Sequence, residues 1–296
     1  MRFQGRDVVE IVVGPSQLLV DPEGGRLLRW CYDGRAVIHW PDDADWSAPT
    51  RIRGGNPVLF PFLGRHFVDG EIGFWRDAEG VVRALPMHGF ARELRHEVTL
   101  AQGGCSLTLR DTPATRAMYP FAFMFQVRYQ LTPDGRALRT ELITSNAGDV
   151  PLPYYAGHHF YFAIPHAERA EWVFDVDARA VLRQNADGSL RRLPAIPGPL
   201  SLADPAIVDA MHLLGSQRDV RLGNLRTGRA LRIALAQVEA LPWFALTSWT
   251  ESETADFYCL EPWLGVPDAI HHGEGLRWLA AGQCERAVCT IALADW

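Results

Sequence analysis

The sequence predicts an all-β fold, a large antiparallel β-sandwich, and three observations predict it. Short apolar runs recur along the 296 residues, separated by clusters of Gly, Pro and Asp that form turns. The clearest run alternates, with Thr140, Leu142 and Thr144 on one face and Glu141, Ile143 and Ser145 on the other. No long stretch carries the 3.6-residue period of an amphipathic helix.

The elements follow in order. Runs SQLLV, RLLRW and AVIHW, residues 16–40, are three strands joined by turns at DPEGG and CYDGR. FAFMFQVRYQLT and ALRTELITSN form a hairpin about Pro133, Asp134 and Gly135. Short helical turns are expected near residues 201–215. DVRLGNLRTGRALRIALA is a second hairpin, and ERAVCTIALAD is a closing strand. Composition is even, with no low-complexity linker and no short repeat, so residues 1–296 read as one domain. Hydrophobic residues make up 48%, enough for a sizeable core.

Composition also excludes functions. The net charge of −6 and the lack of a basic run argue against nucleic acid as a partner. No apolar run approaches the ~20 residues of a membrane-spanning helix, so no membrane partner is expected. The start, MRFQGRDVVEIVV, lacks the apolar core and cleavage site of a signal peptide, and a cytoplasmic location is expected. Cys31, Cys105, Cys259, Cys284 and Cys289 show no CxxC spacing and read as reduced thiols, mostly buried. There is no lysine; all 29 basic residues are arginine. That excludes a Schiff-base lysine, a pyridoxal phosphate site and a phosphate-loop lysine.

Four segments carry residues that strands do not need: RGGNPVLFPFLGR (53–65), MHGFAR (87–92), GHHFYF (157–162) and CLEPW (259–263). Neighbouring strand residues point to opposite faces, so only one of His158 and His159 faces a given site. His158 shares parity with Phe160 and Phe162, the core side. His159 shares parity with Gly157 and Tyr161, the polar side, and is the candidate. Both also suit purely structural roles. His88 sits in a Pro-Met-His-Gly turn. Glu261 lies in an apolar run, where a carboxylate is desolvated or paired and its pKa moves either way. Arg53, Arg65 and Arg92 flank Gly- or Pro-rich turns, where solvated surface charge is the alternative. Two histidines and a carboxylate raise a 2-His-1-carboxylate iron site. No ligand spacing supports it, and no metal is expected.

These segments, in this order, resemble the aldose 1-epimerase (galactose mutarotase-like) family, closest to its bacterial aldose 1-epimerase-like and hexose-6-phosphate 1-epimerase-like branch. GGNPVLFPFLGR is similar to that branch's Gly-x-Pro-x-x-Phe-Pro segment ending in a sugar-binding arginine, and HGFAR is the branch's own string. GHHFYF is similar to its Gly-x-His-Pro-Tyr-Phe. EPW with GVPDA resembles the glutamate segment, and GEGLRWLAAGQ the Gly-rich stretch that follows. Phe160 replaces the motif's proline, which is expected to alter cleft shape rather than chemistry. Asn56, after the two glycines, reads as a minor variation.

The resemblance implies a β-sandwich with an open carbohydrate cleft and an isomerase that exchanges the α and β anomers of an aldohexose. It assigns Glu261, His159 and His88 as catalytic residues, Arg65 as a sugar contact and Asp209, in IVDAMHL, as a looser substrate-binding match. Anomer exchange opens the ring, rotates about C1–C2 and recloses it. It needs one base for the O1 proton, one acid for the ring oxygen and no cofactor. Glu261 as carboxylate and His159 as imidazolium fit those parts, with His88 steadying charge near the ring oxygen. Carboxylates are expected to raise the histidine pKa, and arginines to keep Glu261 ionised. Arg53 and Arg92 suit a 6-phosphate clamp. Hexose 6-phosphate is therefore the alternative substrate, and sugar binding without catalysis the alternative function. The expected partner is a small-molecule sugar or sugar phosphate, bound by a monomer or homodimer.

Overall fold

Along Phe123–Leu131 the odd residues Phe123, Phe125, Val127, Tyr129 and Leu131 are buried, and the residues between them face outward. That alternation, repeated in neighbouring strands, makes a sheet with one apolar side. The computed structural model describes residues 1–217, 219–235 and 242–295. Two large sheets dominate the described residues, one of nine strands and one of twelve, and all the strand pairs in them are antiparallel.

The nine-stranded sheet is centred on Phe123–Leu131, Ala137–Asn146, Cys284–Asp295 and Arg229–Ala234. The twelve-stranded sheet runs from Leu190–Leu193 through Ala178–Gln184, Ala210–Leu214, Ala245–Trp249, Phe257–Trp263 and Phe160–Ala163. It continues through Arg35–Ile38, Arg26–Tyr32 and Ser16–Asp21 to Val9–Val13. Their inner faces share one cluster of buried apolar side chains drawn from Ile11 to Ile291. The expected strands at 16–40, both hairpins and the closing strand all form. All five cysteines are free thiols, and only Cys284 is exposed. Among the described residues no helix is long and apolar enough to cross a membrane.

Two local readings change. The helical turns expected near 201–215 reduce to one 3-10 turn, Pro205–Ile207, after which Ala210–Leu214 is a strand. Asp204 starts the turn by accepting a hydrogen bond from the Ala206 N–H at 2.8 Å, and Pro205 presets the backbone. A short α-helix, Pro113–Met118, was legible but unread. Thr112 caps it, accepting from the Thr115 N–H at 3.2 Å, with Pro113 in the first turn.

Tight loop packing positions the cleft. Residues 53–65 are tied to residues 87–92 by a parallel bridge between Phe60 and Gly89. Gly89 has φ +74°, and a Cβ there would lie 2.1 Å from the Phe60 carbonyl oxygen. Gly80 has a similar φ of +83° with open space around it. Gly80→Ala therefore carries only the left-handed backbone penalty of about 1–2 kcal/mol, whereas Gly89→Ala adds a clash between rigid backbone groups. In thermal melts Gly89→Ala is expected to lose several degrees more than Gly80→Ala; equal losses would refute the close approach.

Candidate functional site

Strand register builds the floor of the cleft. Phe160 pairs with Leu260, Tyr161 with Cys259 and Gly157 with Trp263, a register that sets His159 opposite Glu261. On the far side of that strand Thr247 pairs with Glu261 and Trp249 with Cys259, and Met211 pairs with Thr247. Alternation puts all these side chains except the core-facing partners on one sheet face. Loops close over that face and leave a cleft of about 510 Å³.

All seven sequence-predicted residues line this cleft: His88, His159 and Glu261, with Arg53, Arg65, Arg92 and Asp209. Arg183, Arg191, Thr247, Trp249 and Trp263 line it too. Sequence reading missed these. The signals available were the arginines of VLRQNADGSLRRL and the cleft-side parity of Thr247 and Trp249 in their strand.

The two histidines divide between the faces. His158 is fully buried on the core side. Its Nδ1 accepts from Asn56 Nδ2 at 2.9 Å, and its Nε2 lies 3.1 Å from Thr140 Oγ1. Thr140 donates to the Cys289 carbonyl, so its oxygen is free to accept the proton on His158 Nε2. Burial lowers the His158 pKa to about 3, which keeps the ring neutral. Asn56 also accepts the His159 backbone N–H on Oδ1 at 2.9 Å. It is fully buried and clamps both histidines, so the reading of Asn56 as a minor variation is corrected.

His159 faces the cleft and stacks on Tyr161 at 4.7 Å and 8°. Its Nε2 lies 3.5 Å from Glu261 Oε2. His88 approaches it edge-on at 5.7 Å. Two contacts fasten His88 to Gly64: its N–H donates to the Gly64 carbonyl at 2.9 Å, and its Nδ1 accepts the Gly64 N–H at 3.1 Å. Neutral His88 therefore presents its Nε2–H. Its φ of +68° and the +56° of Asp209 are left-handed, a backbone region that non-glycine residues rarely adopt.

Charge around the pair reverses the expected proton placement. Burial drives the His159 pKa well down, and Arg92, Arg26 and Arg53 push it further. Burial drives Glu261 well up, and the negative charge of Asp209 adds to this, with the Trp263 indole opposing. The arginines act on the histidine rather than on the glutamate. Both shifts favour the neutral pair, a carboxylic acid beside an imidazole, over the charged one. The neutral pair holds the same single proton as the expected carboxylate and imidazolium.

The arginines are not equivalent. Arg26, wholly buried beneath the cleft, holds residues 49–54 through the Pro49, Ile52 and Gly54 carbonyls. Arg53 pairs with Glu251 at 2.8 Å and lies over the Trp249 ring at 5.4 Å. Arg92 donates to the Met87 carbonyl at 2.8 Å, and Arg183 to the Val208 carbonyl at 2.7 Å. Arg65 and Arg191 are exposed, and neither makes a side-chain hydrogen bond or ion pair among the described residues. Arg65 and Arg191 thus keep the most donors for an anion, while Arg53 is engaged by Glu251 and Arg92 keeps its Nε unpartnered. One atom each from His159, Cys259 and Glu261 lies within 4.8 Å of the others, all three residues buried.

The pair makes a pH prediction for stability. The folded pKa of Glu261 lies above its ordinary 4.5, so the folded state holds a proton that the unfolded state has lost. The penalty is absent below pH 4.5 and grows by about 1.4 kcal/mol per pH unit as pH rises toward the folded value. Glu261→Gln removes it. Thermal melts should show the variant matching wild type near pH 4 and exceeding it by a widening margin toward pH 8. A constant difference across that range would contradict the raised value.

Relatives share this architecture. Residues 16–189 match the family model described as aldose 1-epimerase. The chromosomal LacX protein of Lactococcus lactis subsp. lactis is 25% identical over 78% of this chain and 81% of its own. The solved Slr1438 protein of Synechocystis sp. PCC 6803 superposes with a TM-score of 0.83 at 24% identity, over 100% of this chain and 99% of that one. A galactose mutarotase related enzyme from Lactobacillus acidophilus gives 0.78 at 21% identity, over 98% of each chain. The family match covers more than half of the sequence and includes His88 and His159, and on it this chain belongs to the aldose 1-epimerase family of sugar isomerases.

Proposed function

We propose that this chain exchanges the α and β anomers of an aldohexose carrying an anionic group, a hexose phosphate being the simplest. The observation that carries the catalytic part is the buried pair His159 Nε2 and Glu261 Oε2, 3.5 Å apart on the cleft floor. The pair holds one proton. One partner delivers a proton to the ring oxygen, while the other takes the O1 proton; on reclosure the two exchange parts. A proton passing between them lets either partner start. His88 Nε2–H, fixed by its clip to Gly64, is a neutral donor for the charge that develops on oxygen.

The arginine-lined rim supports the anionic substrate. Five arginines line the cleft against two carboxylates, Asp209 and Glu261, and two of the five are unpaired. A guanidinium fork at Arg191 matches phosphate oxygens, whereas a neutral sugar has no use for it.

Polarimetry of fresh α-aldohexoses, and a coupled anomer-specific assay with hexose 6-phosphates, tests both parts. His159→Ala and Glu261→Gln are expected to lose ~10²–10⁴-fold in kcat/KM. Retention of near-normal turnover by either would sink the mechanism. Arg191→Ala is expected to lose about tenfold or more in kcat/KM for the phosphate ester and to leave the neutral sugar within twofold. Equal effects on both would remove the phosphate.

Asn56 is a positioning residue for this reaction. Asn56→Ala frees the His159 backbone and is expected to lower kcat by ~10–10²-fold, with KM little changed. Asn56→Asp keeps the acceptor and should recover part of the rate. A proportional loss in KM instead would mean that Asn56 shapes binding.

A further inference from the structure

Cys259 is a buried thiol that the proposed reaction does not use. It shares one strand face with Glu261, two residues on, because side chains alternate along Phe257–Trp263. His159 stands on the neighbouring strand in the register that faces Glu261. Two ligands at i and i+2 and a third across the ladder converge on one point above a sheet. The three ligand atoms already lie within 4.8 Å of one another. A tetrahedral zinc site with bonds of ~2.0–2.3 Å spaces its ligand atoms about 3.3–3.8 Å apart, so side-chain adjustments of about 1 Å complete the set.

Two of the groups are buried and only weakly engaged. His159 and Glu261 are each at least nine-tenths buried, His159 Nδ1 makes no side-chain hydrogen bond, and Glu261 Oε2 faces His159 Nε2 at 3.5 Å. His159 and Glu261 line the cleft, which gives an ion its way in and leaves a fourth position open toward solvent or a sugar hydroxyl. One sulfur, one imidazole nitrogen and one carboxylate oxygen are a donor set for a borderline-soft cation and a poor one for Mg²⁺ or Ca²⁺.

We propose that His159, Cys259 and Glu261 form a binding site for a thiophilic divalent cation of the Zn²⁺ class, and that its occupancy silences the acid–base pair. Binding forms bonds from the metal to Cys259 Sγ, to an imidazole nitrogen of His159 and to a Glu261 oxygen. The thiol and carboxyl protons leave to solvent, and no electron is transferred. Inhibition rests on the anomer-exchange reading of the same cleft; binding does not.

The test uses chelator-treated full-length protein in a Cys284→Ser background, which removes the exposed thiol. Zn²⁺ binding is followed by calorimetry, and Co²⁺ by its visible bands and its thiolate charge-transfer absorption. One equivalent should bind, with the cobalt charge-transfer band present, and binding should weaken at least ~10-fold in Cys259→Ser. Cys259→Ala serves if the serine variant misfolds. Mutarotation should fall with Zn²⁺ occupancy, read against each variant's own metal-free rate, and recover on chelation. Binding that survives both cysteine variants, or cobalt without the charge-transfer band, overturns the site. A cysteine-dependent ion that leaves mutarotation untouched overturns the silencing. If the metal binds as expected but no sugar is ever mutarotated, the site stands and the anomer-exchange reading falls.

Discussion

The antiparallel register between residues 157–163 and Phe257–Trp263 is the constraint from which the cleft follows. It sets His159 against Glu261, Tyr161 against Cys259 and Gly157 against Trp263. A slip of residues 157–163 by one would turn His159, Tyr161 and Gly157 to the other face and bring His158 into the cleft. His158 helps to prevent that slip. Its ring is seated on the core side between Asn56 and Thr140, a hydrogen-bonded pocket that the apolar side of a slipped strand would leave unsatisfied. His158 thus holds His159 in place.

The same burial that fixes the pair also sets its proton. Glu261 is 2% exposed and His159 9%, so each resists carrying charge. The nearby charges then act in opposite senses: three arginines disfavour imidazolium, and Asp209 disfavours carboxylate. For the proposed ring opening and reclosure, which returns each proton it moves, this has a use. A neutral pair needs no counter-ion while the cleft waits, and it can respond to a hydroxyl on either side. Charge separation then arises only when a substrate supplies the donors and acceptors that stabilise it.

Much of this was legible in the sequence. Period-two alternation and turn clusters gave the sandwich, because both depend on neighbours along the chain. Parity put His159 on the polar side for the same reason. What depended on neighbours across the fold was not legible. Asn56 looked like a variant of a loop motif, and only the approach of residues 53–65 to residues 157–159 makes it a clamp. The contacts of Arg53 with Glu251 and of Arg92 with the Met87 carbonyl are specified by tertiary packing and leave no mark in the sequence. Arg191 looked like surface charge because it stands on an edge strand whose place beside the cleft is set by sheet order. The direction of the two pKa shifts was not legible either, since burial sets it first and Arg92, Arg26 and Arg53 come near His159 only in the fold.

The polar atoms that the fold leaves without partners explain why such a cleft suits a sugar. Nδ1 of His159, Oε2 of Glu261, Oγ1 of Thr247, Nε1 of Trp263 and Nε of Arg92 are all buried without a hydrogen bond, and all belong to cleft-lining residues. Left unpaired, each such group costs ~1–3 kcal/mol, which a ligand that pairs with it would recover. Both donors and acceptors are present among them. An apolar ligand would leave every one unsatisfied, and a simple anion would engage the donors only. A ring carrying several hydroxyls, each both donor and acceptor, can meet both kinds at once. Trp249 and Trp263 flank those groups with aromatic surface for the ring's C–H faces.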